Sequence, residues 1–130
     1  MILDTSFVID LMNNHPEAVL KARELQQKGE HTYICTPTLF ELWSGLAQSN
    51  KPVKEKQKIM EIISSQLVLN FDKESAEEAG KIDGLLKCEG QMIDPEDSMI
   101  AGIAKRHGEC VLTKNVKHFS RIKTISCATY

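Results

Sequence analysis

The sequence has no excess of positive charge. It carries 16 Lys and Arg residues against 18 Asp and Glu residues, a formal net charge of −2. This balance excludes a strongly basic nucleic-acid binder, so any contact with phosphate groups has to come from a local basic patch or from a bound metal ion. Overall charge neither supports nor excludes RNA as a partner.

Long apolar runs are also missing. The apolar start Met1-Ile2-Leu3 is followed at once by Asp4, which leaves no basic start and apolar segment of the kind that forms a signal peptide. No stretch approaches the length needed to span a membrane. We therefore expect a soluble, cytoplasmic protein.

The cysteines lack the spacing of a metal or redox motif. The chain has Cys35, Cys88, Cys110 and Cys127, with no Cys-x-x-Cys pair and no His spacing typical of zinc sites. We expect neither disulfides nor structural zinc. We expect all four to be small buried hydrophobic residues.

Length and hydrophobic content fit one globular domain. A chain of 130 residues that is 42% hydrophobic is long enough to bury one core. No internal repeat, low-complexity segment or long linker divides it. The sequence predicts a single domain over residues 1–130.

Short β-rich runs alternate with helical segments along the chain. Strands are predicted at 1–3, 31–35, 67–71 and 110–113, with a fifth option at 124–127; helices are predicted at 7–12, 16–28, 36–49, 53–65, 73–87 and 94–107. This alternation predicts an α/β fold with a central, largely parallel sheet of four to five strands flanked by helices. Ligands of such sheets bind beyond the carboxyl ends of the strands, so the residues there are the ones to inspect.

Asp4 stands at the end of the first predicted strand. The hydroxyls of Thr5 and Ser6 follow it and could support a ligand role for the carboxylate. The alternative is that Asp4 or Thr5 only caps the helix that follows, which such residues do routinely.

Asp97 heads a helical face of small residues, because Ala101 and Ala104 follow it at helical spacing. A face of alanines packs closely, and a carboxylate there is costly without a cation or hydrogen bonds. We interpret Asp97 as a site residue and assign helix capping to Asp94. The alternative is that Asp97 only complements the helix dipole. Glu96 points about a quarter turn away and is expected to be solvated.

Glu41 lies about 200° around its helix from Trp43, off the apolar stripe, and by itself resembles an ordinary exposed glutamate. Glu41 becomes a candidate site residue only together with Asp4 and Asp97. Carboxylates from separate elements at one end of a sheet repel each other unless a hard cation neutralises them, and Mg²⁺ or Mn²⁺ fits such oxygen ligands. A site of this kind can activate water and polarise a phosphate oxygen, as metal nucleases do.

Several motifs together resemble the PIN domain, and the match covers essentially the whole chain. They are the opening Leu3-Asp4-Thr5-Ser6, the isolated helical Glu41, the run Asp97-Ser98-Met99-Ile100-Ala101, and Val111-Leu112-Thr113-Lys114-Asn115 followed by Phe119. Their order and spacing are similar to the toxins of VapBC toxin–antitoxin pairs. The resemblance implies a Mg²⁺- or Mn²⁺-dependent endoribonuclease that leaves 5′-phosphate products. It also implies a homodimer and a cognate antitoxin whose tail covers the acidic pocket.

The resemblance assigns roles to individual residues. Asp4 and Asp97 match direct or near-direct metal ligands, and Glu41 matches an acid that acts through water or on a second metal. Thr113 matches a residue that hydrogen-bonds within the acidic pocket. Asn115 stands where Asp is common; it keeps an oxygen ligand but loses the charge, which puts a second metal in doubt. Asn115 could equally be a loop residue chosen for its turn-forming ability.

The densest basic stretch follows the last of these motifs and comprises Lys114, Lys117, His118, Arg121 and Lys123. It could hold the RNA backbone or be a solvated face. His118 could act on a leaving oxygen, although a metal mechanism does not need it. Trp43 could contribute to a dimer contact or belong to the core.

Two other classes of function are open at this point. A degenerate domain that holds RNA or a protein partner without cutting it is suggested by Asn115. A phosphotransfer protein is suggested by an acid after the first strand, but phosphatases of the haloacid-dehalogenase type need a second Asp where Ser6 stands. The RNA target, the number of metal ions, and the choice between a toxin and an RNA-processing role also stay open.

Overall fold

The computed structural model describes residues 1–130 and contains one five-stranded sheet with the strand order β3-β2-β1-β4-β5. The strands are β1 (Ile2–Leu3), β2 (Tyr33–Cys35), β3 (Leu67–Leu69), β4 (Val111–Leu112) and β5 (Cys127–Ala128). Every neighbouring pair is parallel. This confirms the predicted α/β class and parallel sheet, including the fifth strand.

Seven helices flank the sheet. They are α1 (Thr5–Met12), α2 (Pro16–Gln27), α3 (Thr36–Ala47), α4 (Pro52–Ser65), α5 (Lys73–Cys88), α6 (Pro95–His107) and α7 (Val116–Phe119). Six of them correspond to the predicted helices. The seventh was not predicted, because four residues are too few to show a helical period. No helix has both the length and the apolar character needed to cross a membrane.

Proline and glycine mark the ends of several helices. A proline stands in the first turn of α2, α3, α4 and α6, where its missing N–H has no helical partner to lose. Gly108 ends α6 with φ of +65°, a left-handed conformation that glycine adopts without steric cost. These signals explain why the predicted and observed helix boundaries agree closely.

Two apolar layers cover the two faces of the sheet. Ile2 and Val111 belong to the layer that contains α5, α6 and α7, whereas Leu3 and Leu112 belong to the layer that contains α1 to α4. Successive side chains of a strand point to opposite faces, so each of these two-residue strands contributes to both layers. The central strands are therefore buried on both sides. This packing holds in position the carboxyl end of β1, where Asp4 follows.

Helix α6 lies against α5 at very close range. A Cβ atom added at Gly102 would lie 2.6 Å from both the Cβ of Ala79 and the carbonyl oxygen of Ser75. Ala101 and Ala104 are fully buried, as expected for the small-residue face. This packing holds in place the helix that carries Asp97.

Some burial predictions were wrong. Cys35 is buried, but Cys88 is exposed and Cys110 and Cys127 are only half-buried; all four are free thiols. Cys88 is the last residue of α5, while the other two lie by the edge strand β5, where less of the fold covers them. Trp43 is 38% exposed and is not a core residue, because α3 turns Thr38 and Leu42 inward instead.

Candidate metal centre

Asp4 and Thr113 meet at the carboxyl edge of the sheet because their strands, β1 and β4, are neighbours. The Thr113 hydroxyl donates to Asp4 Oδ2 at 2.7 Å, and the Ser6 hydroxyl donates to the same oxygen at 3.0 Å. Asp4 is 1% exposed and its side chain makes no hydrogen bond that caps α1. Asp4 therefore occupies the N-cap position of α1, but its carboxylate is held by two hydroxyls rather than by a side-chain capping bond.

The second oxygen of this carboxylate has no partner. Asp4 Oδ1 is buried and accepts no hydrogen bond, although buried acceptors are nearly always satisfied. A carboxylate with one oxygen held and the other free is suited to bind a metal ion through the free oxygen. The residues present therefore fit a hard divalent cation.

Glu41 is tied to α1 through threonine hydroxyls. The Thr5 hydroxyl lies 2.8 Å from Glu41 Oε1 and 3.0 Å from the hydroxyl of Thr38. A hydroxyl has one proton and an ionised carboxylate only accepts, so Thr5 donates to Glu41 and accepts from Thr38. Neither threonine was predicted as a support for Glu41. The spacing of Thr38 and Glu41, three residues apart on one helix, was the available signal.

Asp97 lies in the first turn of α6 and is 7% exposed. His118 on α7 reaches it, with 2.8 Å between His118 Nδ1 and Asp97 Oδ2. Asp94 is the N-cap residue of α6, as predicted, but its side chain makes no capping hydrogen bond. Instead, potential ligand atoms of Asp94, Asp97 and His118 all lie within 4.8 Å of one another.

The electrostatics show that the acids act on each other. Burial raises the pKa of Asp4, and hydrogen bonds from Thr113 and Ser6 partly offset this. Burial likewise raises the pKa of Asp97 against the hydrogen bond from His118, and the negative charge of Asp4 raises it further. Without a cation, burial therefore makes the ionised forms of these carboxylates less favourable than they are in water.

The pKa of Glu41 is also raised, first by burial and then by the charges of Asp4, Glu96 and Asp97, while the hydrogen bond from Thr5 lowers it. The charge of Glu96 therefore acts on Glu41, and Glu96 is only partly exposed, so the expectation that it is simply solvated was wrong. A bound divalent cation would reverse these shifts, because it favours the charged forms.

Asn115 contributes through its backbone. Its N–H donates to the Thr113 hydroxyl at 2.8 Å, and its carbonyl oxygen accepts from the N–H groups of His118 and Phe119 at the start of α7. The exposed side chain makes no hydrogen bond to the acids. Its role as a metal ligand stays a prediction.

Part of the basic stretch is already neutralised. Lys114 Nζ lies 2.9 Å from Asp10 Oδ2, which also accepts from the Tyr130 hydroxyl at 2.6 Å. Lys117 and Lys123, by contrast, form no ion pair, and Arg121 donates to the carbonyl oxygen of Met92 at 3.2 Å. Free positive charge therefore lies along and just after α7.

A small parallel sheet with acids gathered at its carboxyl edge defines the nuclease fold of the PIN class. The family model for the PIN domain matches residues 1–125, and the chain belongs to this family. The chain is 32% identical to the tRNA(fMet)-specific endonuclease VapC of Shigella flexneri over 121 residues, which cover 93% of this chain and 90% of that one. It is 27% identical to ribonuclease VapC2 of Rickettsia felis, over 95% of this chain and 92% of the relative.

Solved structures give the same result. The chain matches VapBC2 from Rickettsia felis bound to a promoter DNA fragment with a TM-score of 0.90 and 25% identity, covering 99% of this chain and 97% of that chain. It matches DNA-bound VapBC from Salmonella typhimurium with a TM-score of 0.88 and 32% identity, covering 98% and 96%. The expected PIN fold is confirmed over nearly the full length.

Proposed function

We propose that the protein is a divalent-cation-dependent endoribonuclease and the toxin of a toxin–antitoxin pair. The observation that carries this proposal is the buried, unpartnered Oδ1 of Asp4 at a sheet edge where Glu41 and Asp97 also lie close enough to affect each other's ionisation. Membership of the PIN family and the ribonuclease names of the relatives support it.

Asp4 and Asp97 are the proposed direct ligands, with Glu41 as the third acid and Asn115 as a weaker fourth place. The oxygen ligands favour Mg²⁺ or Mn²⁺. A cation bound there lowers the pKa of water and stabilises negative charge on a phosphate oxygen. Thr5 holds Oε1 of Glu41 and leaves Oε2 able to accept a hydrogen bond from water.

The hydroxyls of Ser6 and Thr113 have a supporting role in the proposed site. Both donate to Asp4 Oδ2, so the carboxylate cannot rotate without losing two hydrogen bonds. This arrangement keeps Oδ1 directed away from its protein partners and available to a ligand. A ligand held in one orientation binds a cation without an ordering cost at the moment of binding.

We propose that the RNA backbone crosses α7. Lys117 is a free cation next to His118 on α7, and His118 contacts Asp97, so a phosphate bound there would lie beside the acids. One relative is named for cleavage of tRNA(fMet), which makes that tRNA a suitable first substrate to test.

We also propose a homodimer and a cognate antitoxin, both present in the cytoplasm with the RNA substrate. The matched structures are VapBC complexes. Phe40 and Trp43, exposed by 65% and 38% on α3, offer an apolar contact surface. Light scattering that finds only monomers at micromolar concentration would contradict the dimer.

The test is cleavage of an RNA pool by purified chain that carries no antitoxin, in Mg²⁺, Mn²⁺ or EDTA. We expect cleavage with either cation and none in EDTA. Asp97→Asn should abolish cleavage, whereas Glu61→Gln, an exposed acid on α4, should cut normally. A folded wild-type chain that cuts no RNA with either cation overturns the proposal. Growth arrest on expression of the chain alone would support the toxin role.

A second candidate function is a PIN domain that binds RNA or a protein partner without cutting. The exposed, uncharged Asn115 at the fourth place favours it. It predicts RNA binding without cleavage, and no calorimetric signal with millimolar Mg²⁺ or Mn²⁺. Restored RNA cleavage in Asn115→Asp would show that the missing negative charge at this position is what prevents cutting.

A further inference from the structure

His118 makes a specific contact that the proposed chemistry does not use. Its Nδ1 lies 2.8 Å from Asp97 Oδ2, and its side chain is 33% exposed against 9% for that of Asp97. In the ionised form that a metal ligand takes, Asp97 Oδ2 only accepts hydrogen bonds, so His118 Nδ1 is then the N–H donor of this bond. The imidazole therefore occupies one oxygen of a proposed metal ligand.

We propose that His118 is the positioning residue of Asp97: it holds Oδ2 and so leaves Oδ1 to the cation. This inference rests on the proposed function, because it concerns the same site. Metal ligands are commonly oriented by a hydrogen bond to a second group, and loss of that group weakens cation binding.

The nearby carboxylate of Asp94 gives the contact between His118 and Asp97 its importance. Its carboxylate lies in the same group of ligand atoms, within 4.8 Å of Asp97 and His118, and makes no capping hydrogen bond that would fix it elsewhere. Two carboxylates at this range repel each other, and the N–H of His118 is the donor placed beside them. Without the imidazole, Asp97 would lose both its hydrogen-bond donor and its fixed orientation.

The arrangement parallels the one at Asp4. There, the hydroxyls of Ser6 and Thr113 donate to Oδ2, and Oδ1 has no partner. At Asp97 the donor comes from α7, the helix that directly follows Asn115. Each of the two proposed direct ligands, Asp4 and Asp97, therefore has one oxygen held by the protein.

Two substitutions separate positioning from other roles of the ring. The amide nitrogen of Asn lies at the same bond distance from the backbone as Nδ1 of His, so His118→Asn keeps the donor to Asp97. The amide nitrogen of Gln instead matches Nε2, so His118→Gln preserves the other side of the ring. His107→Ala, an exposed histidine at the end of α6, is the matched control.

The experiment is a Mn²⁺ titration of each purified full-length variant by calorimetry, with thermal unfolding in EDTA measured in parallel. We expect His118→Ala to bind Mn²⁺ about 10- to 100-fold more weakly than wild type. His118→Asn should stay within about threefold of wild type, His118→Gln should resemble His118→Ala, and His107→Ala should bind normally. RNA cleavage at saturating Mn²⁺ should recover most of its rate in His118→Ala.

Undiminished Mn²⁺ affinity in folded His118→Ala would overturn the positioning role and leave the proposed function intact. Rescue by Gln but not by Asn would also overturn it, because Nε2 would then be the acting atom. Wild-type chain that binds no Mn²⁺ and cuts no RNA would overturn the proposed function itself. If His118→Ala unfolds in EDTA, the comparison of His118→Asn with His118→Gln decides.

Discussion

Replacing Thr113 by Val tests how Asp4 is held. The substitution keeps the shape of a fully buried side chain but removes the hydroxyl that donates to Asp4 Oδ2 at 2.7 Å. A hydrogen bond to a buried charged group contributes about 1.5 to 3 kcal/mol. The N–H of Asn115 also loses its acceptor, but Asn115 is exposed, so water can replace it at little cost. We therefore expect a loss of about 2 kcal/mol of unfolding free energy.

This loss can be converted into a melting temperature. A chain of 130 residues has an unfolding entropy of about 0.27 kcal/mol/K, so Thr113→Val should melt about 7 °C below wild type. Thr113→Ser keeps the hydroxyl and loses one buried methyl group, which costs about 1 kcal/mol. The assay is thermal and urea unfolding in EDTA, where no cation contributes.

The Asp4→Asn background provides the control. In that background the hydroxyl no longer bonds to a charge, so the cost of Thr113→Val should shrink by about 1 kcal/mol. Two results would refute the inferred hold on Asp4: a stability of Thr113→Val within about 0.5 kcal/mol of wild type, or an unchanged cost of this substitution in the Asp4→Asn background.

The remaining predictions concern pH and packing. Burial raises the pKa of Asp4, Glu41 and Asp97 above their ordinary values of 3.8, 4.5 and 3.8, so these groups favour the folded state most at low pH. Their contribution is lost as pH rises through the raised pKa values, and a cation opposes that loss by favouring the ionised forms. The rise in melting temperature on adding Mn²⁺ should therefore be larger at about pH 8 than at about pH 5; an equal rise at both would contradict the burial account. Gly102→Ala should cost about 1 to 3 kcal/mol in urea unfolding, since its methyl group would meet Ala79 at 2.6 Å, whereas Gly80→Ala, with open space around it, should not destabilise. Equal stabilities of the two variants would contradict this, because they would show that α5 and α6 can move apart to accommodate the added methyl group at little cost.

The fold could be predicted because local signals agreed along most of the chain. Apolar runs, prolines in first turns and Gly108 placed the strands and six helices close to their observed bounds. Asp4 and Asp97 were found the same way, from the strand end and the alanine face. Glu41 was not, since an isolated glutamate on a helix gives no sign of what faces it, and only the resemblance pointed to it.

Ser6 could be named because it lies beside Asp4 in the sequence, and Thr113 because of the resemblance, but the tertiary contacts of the other supporting residues are encoded by no local pattern. Asp4 and Thr113 are 109 positions apart and meet because β4 pairs with β1 out of sequence order. His118 reaches Asp97 through a four-residue helix without a detectable period. Asp94 has the sequence signature of a cap, yet its carboxylate lies with Asp97 and His118, which the signature cannot reveal.

The most direct test of the central claim compares Mn²⁺ binding by wild type and Asp4→Asn, by calorimetry on the purified chain. The acids should hold the cation, so wild type should bind Mn²⁺ and Asp4→Asn should bind it at least about tenfold more weakly. Removing a buried charge should leave the melting temperature in EDTA no lower than that of wild type. Equal Mn²⁺ affinity of the two proteins would contradict the account.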